Sequence, residues 1–166
     1  MSLNNFDDTV SWSQFSQLPS RPAGEDEDAH IHTRMKLNYN LGGKGKAAIV
    51  SGGTLDILIV TQSCWAVSSE MTKDLLKHEQ GHYDIQALAA REFYEKVMAL
   101  TAPTDNELKK EVRKLEAKFQ QVTNVVNKRY DKTTDHSINT SMQQTWDKKI
   151  DAAKKKLNGT IDDLPQ

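Results

Sequence analysis

The stretch that most constrains this chain is Leu75-Leu76-Lys77-His78-Glu79-Gln80-Gly81-His82-Tyr83-Asp84-Ile85, which sets a His-Glu-x-x-His pattern among apolar residues. Residues four apart on a helix lie one above the other on the same face, so His78 and His82 can reach one metal ion together. Glu79 lies about 100° round from His78, beside such an ion and not on it. A tetrahedral zinc ion with three protein ligands keeps one position for water and lowers its pKa to about 7, and an adjacent carboxylate can take the proton. The pattern therefore predicts a zinc site with His78 and His82 as ligands and Glu79 as general base.

Periodicity separates this reading from a chance match on a solvated helix. At about 100° per residue, Met71, Leu75, His78, Glu79, His82, Ile85, Ala89, Phe93, Val97 and Leu100 fall in one sector roughly 120° wide. The three polar residues thus share the core-facing stripe. Burying them without partners would cost about 1–3 kcal/mol for each polar group and more for a charge. A metal ion removes much of that cost. Gln86 and Lys96 also fall in the sector and interrupt it.

Composition narrows the partners. With 22 basic and 23 acidic side chains the formal charge is −1, which offers no bulk attraction to nucleic acid or anionic membranes. The most apolar run, Leu55 to Val60, is far shorter than the roughly 20 residues that span a bilayer, so no integral membrane segment is expected. Cys64 is the only cysteine and cannot form an intrachain disulfide. The start, Met-Ser-Leu-Asn-Asn-Phe-Asp-Asp, has neither the basic nor the apolar region of a secretory signal.

The expected fold is α+β in one domain over 1–166, with 1–66 mainly β and 67–158 mainly α. Residues 10 to 18 alternate enough for a short strand or arm carrying Trp12 and Phe15 inward. Glu25 to Asp28 reads as a solvated acidic surface. Ile31 to Asn40 reads as a strand, Gly42 to Gly45 as a turn, Ala47 to Val50 as a strand, Ser51-Gly52-Gly53 as a turn, and Thr54 to Thr61 as the best strand. A small antiparallel sheet follows, packed on the long His-Glu-x-x-His helix, for which Ser68 or Ser69 is the expected N-cap. Thr104-Asp105-Asn106-Glu107 is a capping box opening a second helix to about residue 128, with Leu108, Val112, Leu115, Phe119, Val122 and Val126 on one face. That stripe is expected to pack on the site helix, and the oligomeric state stays open. Tyr130 to His136 reads as a polar turn leading to a third helix with Met142, Trp146, Ile150, Ala153 and Leu157 on one side, stopped by Asn158-Gly159.

Catalytic zinc needs a third protein ligand, and His136 is the expected one. The arrangement with a third His six residues after the second, and Gly midway, is excluded because Leu88 and Ile85 stand there. A Glu of the next helix (Glu107, Glu111 or Glu116), Asp131 and Asp135 remain as alternatives. Asp131 and Asp135 are also candidates to hold the outer nitrogens of the histidines. Tyr130 or Tyr83 could stabilise an oxyanion.

Trp12-Ser13-Gln14-Phe15, Cys64-Trp65-Ala66, His78-Glu79-Gln80-Gly81-His82-Tyr83-Asp84-Ile85, and Tyr130-Asp131 with Thr134 and His136 together resemble a bacterial family of secreted zinc-dependent proteases, grouped as a domain of unknown function within the zincins. The resemblance covers nearly the whole chain. It implies a zincin-like fold, an exported protein and a proteolytic role, and it matches His136 to a ligand position. In that family a Gly usually follows this histidine, where the chain has Ser137.

The leading expectation is hydrolysis of peptide or amide bonds in a peptide or protein substrate by a zinc-activated water, with Glu79 as general base. The alternative is a zinc-stabilised binding or structural module without turnover, and Glu79 separates the two, because a structural site closes all four positions with protein groups.

Overall fold

The computed structural model describes residues 2–166. It is an α+β arrangement of three helices and two small mixed sheets. The first sheet has the order β1 (Ser2–Asn4), β5 (Ala47–Ile59), β4 (Thr33–Lys44), with β7 (Thr101–Ala102) also on β5. Strand β1 runs parallel to β5, while β4 and β7 run antiparallel to it. The second sheet has the order β2 (Ser16–Leu18), β6 (Trp65–Val67), β3 (Ala29–His30), parallel on one side of β6 and antiparallel on the other. The expected single antiparallel sheet is thus corrected, because the N-terminal segments return to pair beside strands far along the chain.

Strand β5 explains two turns that do not form. Ser51-Gly52-Gly53 lies inside the strand, where the register passes from Asn40 opposite Gly52 to Leu41 opposite Val50, leaving Ser51 as the extra residue of a bulge. Ala48 and Val50 are buried before it and Leu55 and Ile57 after it, so the inward parity changes across the bulge, as one extra residue requires. Gly53 has φ +133°, and a Cβ there would lie 2.0 Å from Asn38 O, so only glycine fits. Likewise Gly42 and Gly43 continue β4, and only Gly45-Lys46 turns the hairpin. On β4, Met35, Leu37 and Tyr39 face inward as the alternation predicts.

Helix α1 (Lys73–Ala99) is capped by Thr72, whose Oγ1 accepts from Leu75 N at 3.1 Å, instead of by Ser68 or Ser69, which start a one-turn helix ahead of it. It packs against β5, α2 (Asp105–Thr134) and α3 (Thr140–Lys155). Residues 83–90 are buried without a break, which a helix surrounded on several sides shows. Thr104 caps α2 as predicted, accepting from Glu107 N and donating to Glu107 Oε2 at 2.9 Å. The helix then runs past the expected end, because Tyr130 and Thr134 continue the buried series Phe119, Thr123, Val126. The segment read as a turn is its last turn. Helix α3 buries Trp146, Ile150 and Ala153, but it ends at Lys155, and Leu157 is 92% exposed. Ile161 and Leu164 fold back into the same buried cluster. Among the described residues no helix is long and apolar enough to cross a membrane.

Candidate metal centre

Helix α1 presents His78 and His82 one turn apart, and the extended α2 brings Asp131 opposite them. Asp131 Oδ1 lies 2.8 Å from His82 Nε2 and 3.3 Å from His78 Nε2. These three ligand atoms lie within 4.8 Å of one another, as a group that could hold a metal ion requires. The contacts are short, yet neither has the angles of a hydrogen bond, and Asp131 Oδ1 is buried without a hydrogen-bonding partner. Atoms aimed at a common point between them, and not at each other, have this geometry.

The outer nitrogens are held by amides. His78 Nδ1 pairs with Gln143 Oε1 at 3.1 Å and His82 Nδ1 with Asn127 Oδ1 at 3.0 Å. An amide oxygen only accepts, so each Nδ1 carries a proton, and in the neutral imidazole that a metal would bind each Nε2 has its lone pair free. Gln143 Nε2 in turn donates to Tyr130 Oη at 2.6 Å and Asp147 Oδ1 at 2.8 Å, and Asp147 pairs with Lys77. A carboxylate or a backbone carbonyl is the sequence expectation here, with Asp131 and Asp135 as candidates. Asp131 instead sits on the Nε2 side, and Asp135 is exposed at the end of α2. Gln143 and Asn127 went unread, although Gln143 precedes Trp146 and Ile150 by three and seven residues and therefore lies on the buried stripe, and Asn127 precedes Asp131 by one helical turn.

Tyr130 is the back wall of the site. Its ring stacks on His78 with centroids 4.5 Å apart and meets His82 edge-on at 5.0 Å. Its hydroxyl donates to His78 O at 3.2 Å and, being buried, ionises far above the usual phenol range. Tyr83 points elsewhere, donating to Asn5 O, and neither tyrosine lines the cavity in front of the histidines.

That cavity, ≈ 380 Å³, is walled by Glu79, His82, Gln86 and Asp131, by His30, and by His136. Glu79 is 1% exposed, and its Oε2 has no hydrogen-bonding partner. Burial raises its pKa to about 7, against a smaller pull downward from His82. Burial also works to lower His82, but the Asp131 carboxylate overcomes it and, with Glu79 and Asn127, raises the imidazole to about 9 in the absence of a metal. Burial lowers His78, with Asp131 opposing. Asp131, despite burial, is held well below the usual carboxylate range by His78 and His82.

His136 lines the same cavity without joining the three-ligand group. Its ring centroid is 6.3 Å from that of His78, and its nitrogens face the acidic segment, with Nδ1 3.7 Å from Glu27 Oε2 and Nε2 4.0 Å from Asp26 Oδ1. Asp135, His136 and Ser137 have φ values of +48°, +47° and +80°. Ser137 therefore occupies a conformation that glycine adopts without strain, and this accounts physically for the glycine the resemblance places there. The acidic segment is not a plain solvated surface: Glu27 accepts from His30 Nδ1 at 2.8 Å, and its side chain is 16% exposed at the cavity. Glu107, Glu111 and Glu116 are exposed on α2 and absent from the cavity wall.

The chain belongs to a bacterial family of unknown function, DUF922, whose model matches residues 11–137. The matched span contains His78, Glu79, His82, Asn127, Asp131 and His136, and it ends before Gln143. No curated protein and no solved structure matches the chain.

Proposed function

We propose that this member of a bacterial family of unknown function is a zinc-dependent hydrolase of peptide bonds, with Glu79 as general base. The observation that carries the reading is a buried carboxylate, Glu79, with an unpartnered oxygen, in the wall of a cavity that His82 and Asp131 also line, next to the group in which two imidazole Nε2 atoms and Asp131 Oδ1 converge. Two neutral imidazoles and one carboxylate form a donor set known for catalytic zinc, one that leaves a position open. The orphaned Oδ1 of Asp131 fits the same ion.

When bound, zinc would supply a Lewis acid for the substrate carbonyl and an acidified water. Glu79 is the group of this chain that would hold a proton taken from water, at Oε2, and return it to the leaving nitrogen. Gln143 and Asn127 fix the ring orientation and tautomer of the two histidines. With Asp131 as third ligand, His136 is a cavity side chain free to donate to an oxygen that gains charge. A zinc-stabilised scaffold has no use for a buried carboxylate at position 79 or for an open cavity beside the ligands.

The test is elemental analysis of the purified protein together with exposure of a mixed library of blocked peptides to the zinc-loaded chain. Close to one zinc per chain and cleavage of some library members are expected. Zinc without any cleavage transfers the site to the scaffold reading, and absence of zinc binding removes both.

A further inference from the structure

The polar residue that interrupts the apolar stripe of α1, Gln86, stands one turn beyond His82, so that His78, His82 and Gln86 form a column on one face of the helix. Gln86 is 1% exposed and lies in the cavity wall, yet its Nε2 has no hydrogen-bonding partner. Leaving such a donor unpaired costs about 1–3 kcal/mol, and an apolar residue at that position of a core helix would avoid the cost. Asn127, which lines the same cavity, has its Oδ1 engaged by His82 Nδ1. The stranded donor therefore sits one helical turn from a proposed zinc ligand, on a side chain that lines the cavity.

We propose that Gln86 is a substrate-binding residue whose Nε2 donates a hydrogen bond to a main-chain carbonyl of a peptide lying in the cavity, beside the bond to be cleaved. The acceptor is a neutral carbonyl and not a terminal carboxylate, because away from the ligand group, where a bound zinc ion would offset Glu79 and Asp131, the cavity wall holds Glu25, Asp26 and Glu27 against Lys128 and the His30 that Glu27 holds. A carboxylate brought there meets like charge in a partly desolvated space, whereas a carbonyl does not. The subsite thus favours peptide chains that continue through the cavity over chains that end in it. This inference rests on the peptide-hydrolase reading and adds the means by which the chain is held.

The experiment uses the Glu79→Gln chain loaded with zinc, so that peptides bind without being turned over. Its probes are a pool of N-acetylated, C-amidated tetrapeptides and the same pool with free C-terminal carboxylates. Binding is read by nuclear magnetic resonance, following the side-chain NH₂ of Gln86 and the ring protons of His82. Amidated peptides are expected to shift the Gln86 resonances, and Gln86→Met, nearly isosteric but without the donor, is expected to weaken binding about tenfold, as loss of one buried hydrogen bond does, at unchanged zinc content.

Shifts at His82 with Gln86 unmoved, or equal affinity in Gln86→Met, overturn the proposal and leave peptide binding standing. Tighter binding of the free-carboxylate pool overturns the neutral-acceptor assignment. Should neither pool bind, the peptide reading fails and takes the subsite with it. If Gln86→Met does not fold, the resonance shift in the parent chain decides alone.

Discussion

The hydroxyl of Tyr130 occupies the space that a side chain at Gly81 would need: a Cβ built on Gly81 would lie 2.2 Å from Tyr130 Oη and 2.6 Å from its Cζ. The glycine inside the His-Glu-x-x-His pattern is therefore what lets α2 approach α1 closely enough for Tyr130 to stack on His78. Two effects oppose each other in Gly81→Ala. Helix propensity would stabilise by about 1 kcal/mol, while overpacking against a buried ring costs about 1–3 kcal/mol. Tyr130 is 0% exposed and bonded through its hydroxyl to both His78 O and Gln143, so it cannot swing away. Gly81→Ala should lower the melting temperature of the metal-free protein by several degrees, taking about 2–4 °C per kcal/mol at this size. A raised melting temperature would show that the two helices do not meet there.

The amide partners of the histidines predict a second result. Gln143→Ala and Asn127→Ala touch no ligand atom of the metal, yet each should weaken zinc binding about 10–100-fold by freeing an imidazole to rotate. Competition against a zinc chelator measures this. Affinity equal to wild type in both variants would remove the amides from the site.

The choice of third ligand is open to the same assay. Asp131→Ala should lose zinc affinity as severely as His78→Ala, while His136→Ala should keep most of it. The reverse order would restore the ligand that the sequence suggests and make the close approach of Asp131 to the histidines a feature of the metal-free state.

The sequence ranks His136 ahead of Asp131, which it keeps only as an alternative, for a physical reason. The run from Tyr130 to His136 contains two Asp and two Thr, residues that compete with helix through their own side-chain hydrogen bonds. Thr133 and Thr134 do bond back to carbonyls one turn earlier, at 2.7 Å in each case. Burial of Tyr130 and Thr134 overrides that tendency, and the stripe ending at Val126 carries on through them. Once helical, Asp131 points at the histidines. Local pattern located His78, Glu79 and His82 because their spacing lies within one helix, whereas Asn127, Gln143 and the Glu27 segment reach the site only through packing between distant elements. The bulge at Ser51 was hidden in the same way, since Gly-Gly signals backbone freedom without saying whether it serves a turn or a strand.

The acidic segment beside the cavity predicts a titration. The hydrogen bond and charge of Glu27 raise the His30 imidazole above its ordinary value, against the effect of burial. In a proton resonance titration of metal-free protein His30 should therefore take up its proton at higher pH than a free-peptide histidine, and Glu27→Gln should bring it down. An unaltered midpoint in Glu27→Gln would break the Glu27–His30 link. Because the folded pKa is raised, this pair stabilises the fold fully below the unfolded value of about 6.5 and ceases to do so as pH rises through the folded value.

The decisive substitution is Glu79→Gln, for which activity and stability should move in opposite directions. The amide keeps the shape of the side chain but cannot take a proton from water, so hydrolysis of any library peptide cleaved by wild type should fall by about 10² to 10⁴ at unchanged zinc content. In the metal-free protein Glu79 titrates at about 7, against 4.5 for the ordinary side chain, because burial penalises its charge. Between those values the unfolded chain gives up the proton first, so stability falls with rising pH and levels off above about 7. The full difference is worth roughly 3 kcal/mol. Metal-free Glu79→Gln should accordingly unfold at a higher temperature than wild type at pH 8, by less than that figure implies because its own amide is buried, and the advantage should vanish near pH 5. A variant that gains this stability yet cleaves as fast as wild type would leave Glu79 buried at a cost and without a role in the chemistry.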